Sequence, residues 1–73
     1  PIDLEAAKTR VLSVLKQRSE RNEAGFSNSE IRQIIHLDRH QVLRLMRELI
    51  EENPKVELMG RGRFARYRFN EDS

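Results

Sequence analysis

The sequence contains no cysteine, so it can form no disulfide, no cysteine-based zinc finger and no thiol active site. No apolar stretch approaches the roughly 20 residues that cross a bilayer, so we expect no membrane partner. Only 37% of its 73 residues are hydrophobic, which predicts one domain with a thin core and no large catalytic cleft. The first residues do not read as a signal peptide, and we expect the domain to belong to a longer protein.

Positive charge is concentrated near the C-terminus. Residues 1–60 contain ten basic and ten acidic residues, whereas residues 61–73 contain four arginines and two acids. Both acids lie in the last three residues, so residues 61–69 hold four arginines and no acid. This asymmetry indicates a polyanionic partner.

A first helix is predicted over residues 3–21. Asp3 can cap its start, and Glu5 lies in the positive first turn. Lys8 and most other charged residues fall outside the apolar stripe, and Gly25 marks a break after the helix. Residues at helical spacing form that stripe: Leu4, Ala7, Val11, Val14 and Leu15.

The second predicted helix covers residues 28–35 and begins at a capping box. The Ser27 hydroxyl can accept a hydrogen bond from the Glu30 amide, while the Glu30 carboxylate reaches back to the Ser27 amide. Phe26 and Ile31 occupy the positions of a hydrophobic staple around this box. The helix is therefore short, with its isoleucines facing the core.

The third predicted helix covers residues 38–52 and starts in the same way, with Asp38 and Gln41. Pro54 ends it, because the residue before a proline resists helical geometry. Only about three residues separate the second and third helices, which forces the steep crossing of a helix-turn-helix. Its apolar residues recur in a core-facing pattern: Val42, Leu45, Met46, Leu49 and Ile50.

Residues 55–69 predict a β-hairpin, followed by a frayed tail over residues 70–73. Val56 and Leu58 alternate with charged residues, glycines follow, and a second alternating run completes the hairpin. Phe26 can add a short third strand to this sheet. The order predicts a mostly α protein with a small β-hairpin, a winged helix-turn-helix with a three-helix core and a C-terminal wing.

In a helix-turn-helix, the first turns of the second helix of the pair meet base edges in the major groove. Arginine can fork onto guanine, and glutamine can pair with adenine. Arg44 also fits an ordinary ion pair with Glu48, and Arg47 fits one with Glu51. Acids at the C-terminal end of the helix would repel phosphate, so that end is expected to tilt away from the duplex. The candidate DNA contacts on this helix are Arg39, His40, Gln41, Arg44 and Arg47.

The hairpin supplies four more candidate DNA contacts: Arg61, Arg63, Arg66 and Arg68. Neighbouring glycines let the backbone approach a phosphate or a groove floor, and arginine in a narrow minor groove reads DNA shape. The alternative is that these charges only protect a sheet edge from aggregation. Lysine or glutamate would serve that purpose equally, so four arginines favour phosphate contact. The start of the second helix can hold a further phosphate, through Ser27, Asn28 and Ser29.

Other chemistry has weak support in the sequence. His36 and His40 have the spacing of a zinc pair, but a predicted turn lies between them and no third ligand is evident. We therefore predict no enzyme activity, no cofactor, no metal site and no small-molecule substrate. Three further residues are expected in the core: Met46, Met59 and Tyr67.

Four segments together resemble a known family: residues 29–32, 37–42, 44–49 and 60–69. The pattern is similar to the C-terminal winged-helix domain of bacterial proteins described as ATP-dependent DNA helicase-related or as transcriptional regulators, which carry an N-terminal Alba-type (Schlafen-like) domain. The resemblance covers residues 26–69, and Gly-Arg-Gly-Arg followed by Ala-Arg-Tyr is its most specific part. It implies a cytoplasmic winged-helix module at the end of a multidomain regulator. No helicase activity transfers, because the chain lacks a Walker-type loop.

The sequence therefore predicts a module that binds double-stranded DNA without catalysis. We expect any homodimer to form through regions outside these residues. The rival interpretation is a protein-interaction or dimerisation module, because fold alone does not determine function. In that case Leu43 and Phe64 would form the interface and the arginines would contact an acidic partner.

Overall fold

Three α-helices precede a two-stranded antiparallel hairpin in the computed structural model, which describes residues 3–19, 21 and 24–72. This order confirms the predicted winged helix-turn-helix arrangement. The elements are α1 (Leu4–Arg18), α2 (Asn28–Ile35), α3 (Arg39–Glu52), β1 (Val56–Met59), a 3₁₀ turn (Gly62–Phe64) and β2 (Arg66–Phe69).

Each helix begins at the predicted cap. The Asp3 carboxylate accepts from the Ala6 amide at 3.1 Å. Both capping boxes are complete: the Ser27 hydroxyl accepts from the Glu30 amide at 3.2 Å, and the Asp38 carboxylate accepts from the Gln41 amide at 2.8 Å. These hydrogen bonds satisfy amides that have no partner within the helix.

The predicted end of α1 was wrong by three residues. The helix ends at Arg18 rather than at residue 21, and Ser19 caps it. The Ser19 hydroxyl donates to the Leu15 carbonyl at 2.5 Å and accepts from the Phe69 amide at 2.9 Å. Because that second bond comes from β2, a contact fifty residues away holds the end of the helix.

The turn between α2 and α3 consists of three residues, as predicted. His36 takes the left-handed conformation, with φ of 56°, and its amide donates to the Arg32 carbonyl at 2.8 Å. This cap ends α2 and redirects the chain into Asp38, so the two helices can cross steeply.

The hairpin pairs β1 with β2 in antiparallel register, with Val56 opposite Phe69 and Met59 opposite Arg66. Phe26 forms the predicted additional bridge: its amide and carbonyl both bond to Tyr67, each at 2.8 Å. The segment just before α2 is thereby attached to β2. This attachment places the start of α2 beside the wing.

The core contains most of the predicted stripes of the three helices and the inner residues of the hairpin. Val14 and Ile34 were wrongly predicted to face it, and Leu12 packs against it instead. Met46 and Tyr67 are buried as predicted. Met59 was wrongly predicted to fill the core: it is 40% exposed, and Leu58 is 51% exposed. Only Val56 at the base of β1 is buried, because the hairpin extends beyond the helical core towards its tip. No helix in the described part of the chain combines the length and apolarity needed to cross a membrane.

Candidate nucleic-acid interface

An open groove of about 310 Å³ lies where the start of α2, the start of α3 and the tip of the wing meet. Leu43 and Tyr67 contribute apolar surface to its lining. No aspartate or glutamate lines it in the described part of the chain. We call it the arginine groove, after the polar residues that line it: Ser27, Asn28, Ser29, Arg32, Arg39 and Arg63. Five of these six were predicted from the sequence as DNA contacts.

The wall of the arginine groove at α2 offers hydrogen-bond donors to an anion. The amides of Asn28 and Ser29 lie in the first turn of α2, where helix geometry leaves the N–H groups without internal acceptors. The positive end of the helix dipole reinforces these donors. Asn28 also links the two helices, since its side-chain amide lies 3.5 Å from the Arg39 carbonyl.

Arg32 is the groove residue that the sequence interpretation missed. It follows Asn28 by one helical turn, so the two side chains lie on the same face of α2. Its Nε and the Asn28 Oδ1 are both buried without a hydrogen-bond partner among the described residues. The spacing of four residues from a predicted phosphate contact was a signal that could have identified it.

The predicted contacts on α3 have different environments. Arg39 and His40 are exposed at the start of the helix. The Gln41 side-chain oxygen accepts from the Asp38 amide at 2.9 Å, so bidentate pairing with adenine would require opening the capping box. Arg44 forms the ion pair with Glu48 that was the alternative interpretation, at 3.1 Å.

Arg47 remains exposed, and the predicted ion pair with Glu51 is not present among the described residues. Arg47 lines a shallow groove together with Leu58 and Tyr67 of the hairpin. Burial raises the pKa of Tyr67, and the positive charge of Arg47 partly opposes that rise.

Part of the negative charge at the end of α3 is paired within the protein. The ammonium of Lys8, a residue only 4% exposed, lies 3.0 Å from Glu48, 2.9 Å from Glu52 and 3.3 Å from Glu5. Hydrogen bonds from Lys8 and Arg44 lower the pKa of Glu48, and hydrogen bonds to Glu52 and Glu48 raise the pKa of Lys8. The expectation that Lys8 lies away from the core was wrong, because α3 packs over it.

The four wing arginines do not act as one set. Arg61 and Arg63 are exposed at the tip and form no ion pair among the described residues. Arg66 instead donates to the Gly25 carbonyl at 2.9 Å and to Glu30 at 2.7 Å. Arg68 pairs with its cross-strand neighbour Glu57 at 3.4 Å. Two of the four arginines are therefore unpaired at the tip and two form ion pairs with carboxylates of their own chain, while DNA contact by all four stays a prediction.

We expect Arg66→Gln to destabilise the domain, because Arg66 joins the residues before α2 to the wing through hydrogen bonds to Ala24, Gly25 and Glu30. Charge-assisted hydrogen bonds of this kind contribute roughly 1.5–3 kcal/mol, and partial exposure places this residue at the lower end. Chemical denaturation measures the change. Arg61→Gln, the matched control at the exposed tip, should leave the unfolding midpoint unchanged; equal midpoints for both variants would contradict a structural role for Arg66.

Metal chemistry has no visible site in the described residues, which contain no group of three or more histidines and acids arranged to hold a metal ion. His36 caps α2 and His40 lies in the first turn of α3. The two histidines are thus on different elements, which is the arrangement that the sequence predicted.

The three helices and the C-terminal hairpin define the class of this chain as a winged helix-turn-helix domain. Comparison with protein-family models, with curated protein sequences and with solved structures finds no match. The resemblance to the helicase-related regulators therefore stays a prediction, and the function is argued from the arginine groove.

Proposed function

We propose that this chain is a double-stranded DNA-binding module of a transcriptional regulator. The observation that carries the proposal is the arginine groove, in which three arginines from α2, α3 and the wing converge beside a helix start without an acid among the described lining residues. Phosphate groups are the ligands that such a set of donors and charges favours. The start of α3 lies against the same groove, so phosphate contacts there would hold its first turn near base edges.

Phosphate contacts are expected to dominate over base reading. Gln41 is engaged in a cap, so contacts to DNA from α3 fall to its exposed basic side chains: Arg39, His40, Arg44 (77% exposed beside Glu48) and Arg47. Lys8 offsets only one of the negative charges at the later turns, so that end of α3 is expected to tilt away from a duplex. Affinity for DNA should therefore fall steeply with salt.

The decisive experiment removes two groove charges and compares the result with the removal of two charges elsewhere. Arg39→Gln combined with Arg63→Gln should weaken binding of a labelled duplex in fluorescence anisotropy. The slope of log affinity against log salt should decrease by about two, at roughly 0.9 per lost phosphate contact. The matched control is Arg10→Gln with Arg18→Gln, which changes the net charge equally on exposed positions of α1.

Two outcomes would contradict the proposal. Wild-type protein that shows no salt-dependent binding to duplex DNA would exclude the function itself. Equal weakening by the groove pair and the α1 pair would mean that affinity for DNA depends only on the net charge of the protein. Circular dichroism of each variant checks that the fold is retained.

The protein-interaction alternative is favoured by one observation, the exposure of four large apolar side chains. Leu43 is 38% exposed, Leu58 51%, Met59 40% and Phe64 71%. Exposed apolar groups of this size commonly mark contact surfaces. Concentration-dependent association in analytical ultracentrifugation, with no DNA binding by the wild type, would establish this alternative in place of DNA binding.

A further inference from the structure

Phe64 is the most exposed large apolar residue of the described chain, and it lies at the tip of the wing. Its exposed fraction of 71% exceeds that of Leu58, Met59 and Leu43. Phe64 contributes nothing to the core, where a phenylalanine would normally be buried. The ring is therefore open to contact with a ligand at the tip of the wing.

The loop that carries Phe64 is closed by its own backbone. The Phe64 amide donates to the Arg61 carbonyl at 3.2 Å, and the Ala65 amide donates to the Gly62 carbonyl at 3.1 Å. Gly60 has a φ of 75°, and a Cβ there would lie 2.8 Å from the Phe64 carbonyl oxygen. The close approach shows that the loop is tightly wound, so the ring projects from a fixed base rather than from a loose chain.

One cationic group lies over the ring. The Arg63 guanidinium carbon lies 5.1 Å from the ring centroid, in the range of a cation–π contact. No other ring contact to Phe64 occurs among the described residues, so a flat group can reach the ring. Arg61, the other arginine of the loop, is exposed, and residues 60–65 contain no acid. This environment suits a flat apolar surface that is attached to phosphates.

A nucleobase has those properties, and we propose that Phe64 is a stacking residue for an unpaired DNA base. The proposal rests on the proposed function and adds a ligand class to it: duplexes with a locally unpaired base. Arg63 also lines the arginine groove, so the same residue connects the phosphate contacts with the ring. Aromatic side chains bind bases through their π-faces whatever the sequence, and apolar wedges can enter an opened base step.

The test compares two DNA molecules that have identical ends. One is a blunt-ended duplex, and the other is the same duplex with a central mismatched bubble. We expect the wild type to bind the bubble roughly tenfold more tightly, the fold-change that stacking of about one base supplies. Phe64→Leu, which keeps an apolar side chain but removes the ring, should abolish this preference and leave affinity for the blunt duplex unchanged.

Phe64→Trp supplies a direct readout. The chain has no native tryptophan, so the emission of this variant reports position 64 alone. Bubble DNA should quench the emission strongly, while the preference for the bubble is retained. Leu58→Ala is the matched control: another exposed apolar side chain of the hairpin, whose loss should not alter the preference. Circular dichroism verifies the fold of each variant.

Any of the following results would contradict the stacking role of Phe64. Equal affinity of the wild type for both DNA molecules, or unchanged emission of the Phe64→Trp variant on bubble DNA, would show that no base reaches the ring. Equal weakening of both complexes by Phe64→Leu would identify an ordinary duplex contact and leave the proposed function standing. Self-association that Phe64→Leu removes, with no DNA discrimination, would assign the ring to a protein contact. Absence of any DNA binding would remove the proposed function as well.

Discussion

Lys8→Met should lower the free energy of unfolding at neutral pH more than any substitution of an exposed charge on α1. Met has nearly the length of lysine, so packing is largely retained while the ammonium is lost. Three carboxylates, from Glu5, Glu48 and Glu52, then lie close together without the cation that they share in the wild type. The substitution therefore loses three charge-assisted hydrogen bonds and leaves neighbouring carboxylates that repel one another, and both effects destabilise the fold.

The effect of Lys8→Met should depend on pH in a defined direction. The pKa of Glu48 is lowered, first by its hydrogen bond from Lys8, so its contribution is present above about pH 4.5 and is lost as pH falls further. The pKa of Lys8 is raised, so the ammonium contribution is fully present below about pH 10.5. The difference between wild type and variant should therefore be constant near neutrality and should shrink under acidic conditions.

Urea denaturation at about pH 7 and about pH 3.5 measures this difference through linkage between protonation and folding. Arg10→Met, on the exposed side of α1, is the matched control and should have little effect at either pH. Adding Glu48→Gln to Lys8→Met should restore part of the lost stability, because one of the crowded charges is removed. A difference that persists undiminished in acid would show that packing, and not charge, explains the role of Lys8.

The parts of the fold that could be predicted from the sequence depend on contacts close along the chain. Both capping boxes join residues three apart, and the apolar stripes repeat within each helix, so local spacing was sufficient to locate α2 and α3. The end of α1 could not be placed in this way. The Ser19 hydroxyl accepts a hydrogen bond from the Phe69 amide, and no sequence pattern within α1 predicts that partner.

The same physical reason separates the site residues that the sequence could identify from those that it could not. The tip arginines could be identified because glycines and charge composition mark the tip directly. Arg66 resembled them in sequence, yet it pairs with Glu30, a residue 36 positions earlier. Lys8 likewise contacts Glu48 and Glu52 across 40 and 44 positions. Charge counts along a sequence cannot separate free from paired arginines when the pairing partners come from other elements.

Gly25→Ala should be severely destabilising, with a cost on the order of 3 kcal/mol, a large share of the stability of a domain this small. Gly25 has a φ of 81°, where side chains are disfavoured, and an added Cβ would lie 2.5 Å from the Tyr67 carbonyl oxygen. That oxygen accepts the bridging hydrogen bond from Phe26, so the chain cannot move away without breaking the link between α2 and the wing.

Gly62→Ala separates backbone strain from the steric clash in this prediction. Gly62 also has a positive φ, of 62°, but a Cβ there would meet nothing within 4 Å. Its substitution should therefore cost only about 1 kcal/mol, the strain of a left-handed residue. Chemical denaturation of both variants measures their free energies of unfolding, and equal losses would refute a tight Gly25–Tyr67 contact.

The Gly25–Tyr67 contact also positions the start of α2 against β2. Gly25→Ala should therefore weaken DNA binding through loss of the arginine groove, whereas Gly62→Ala leaves the groove walls from α2 and α3 in place.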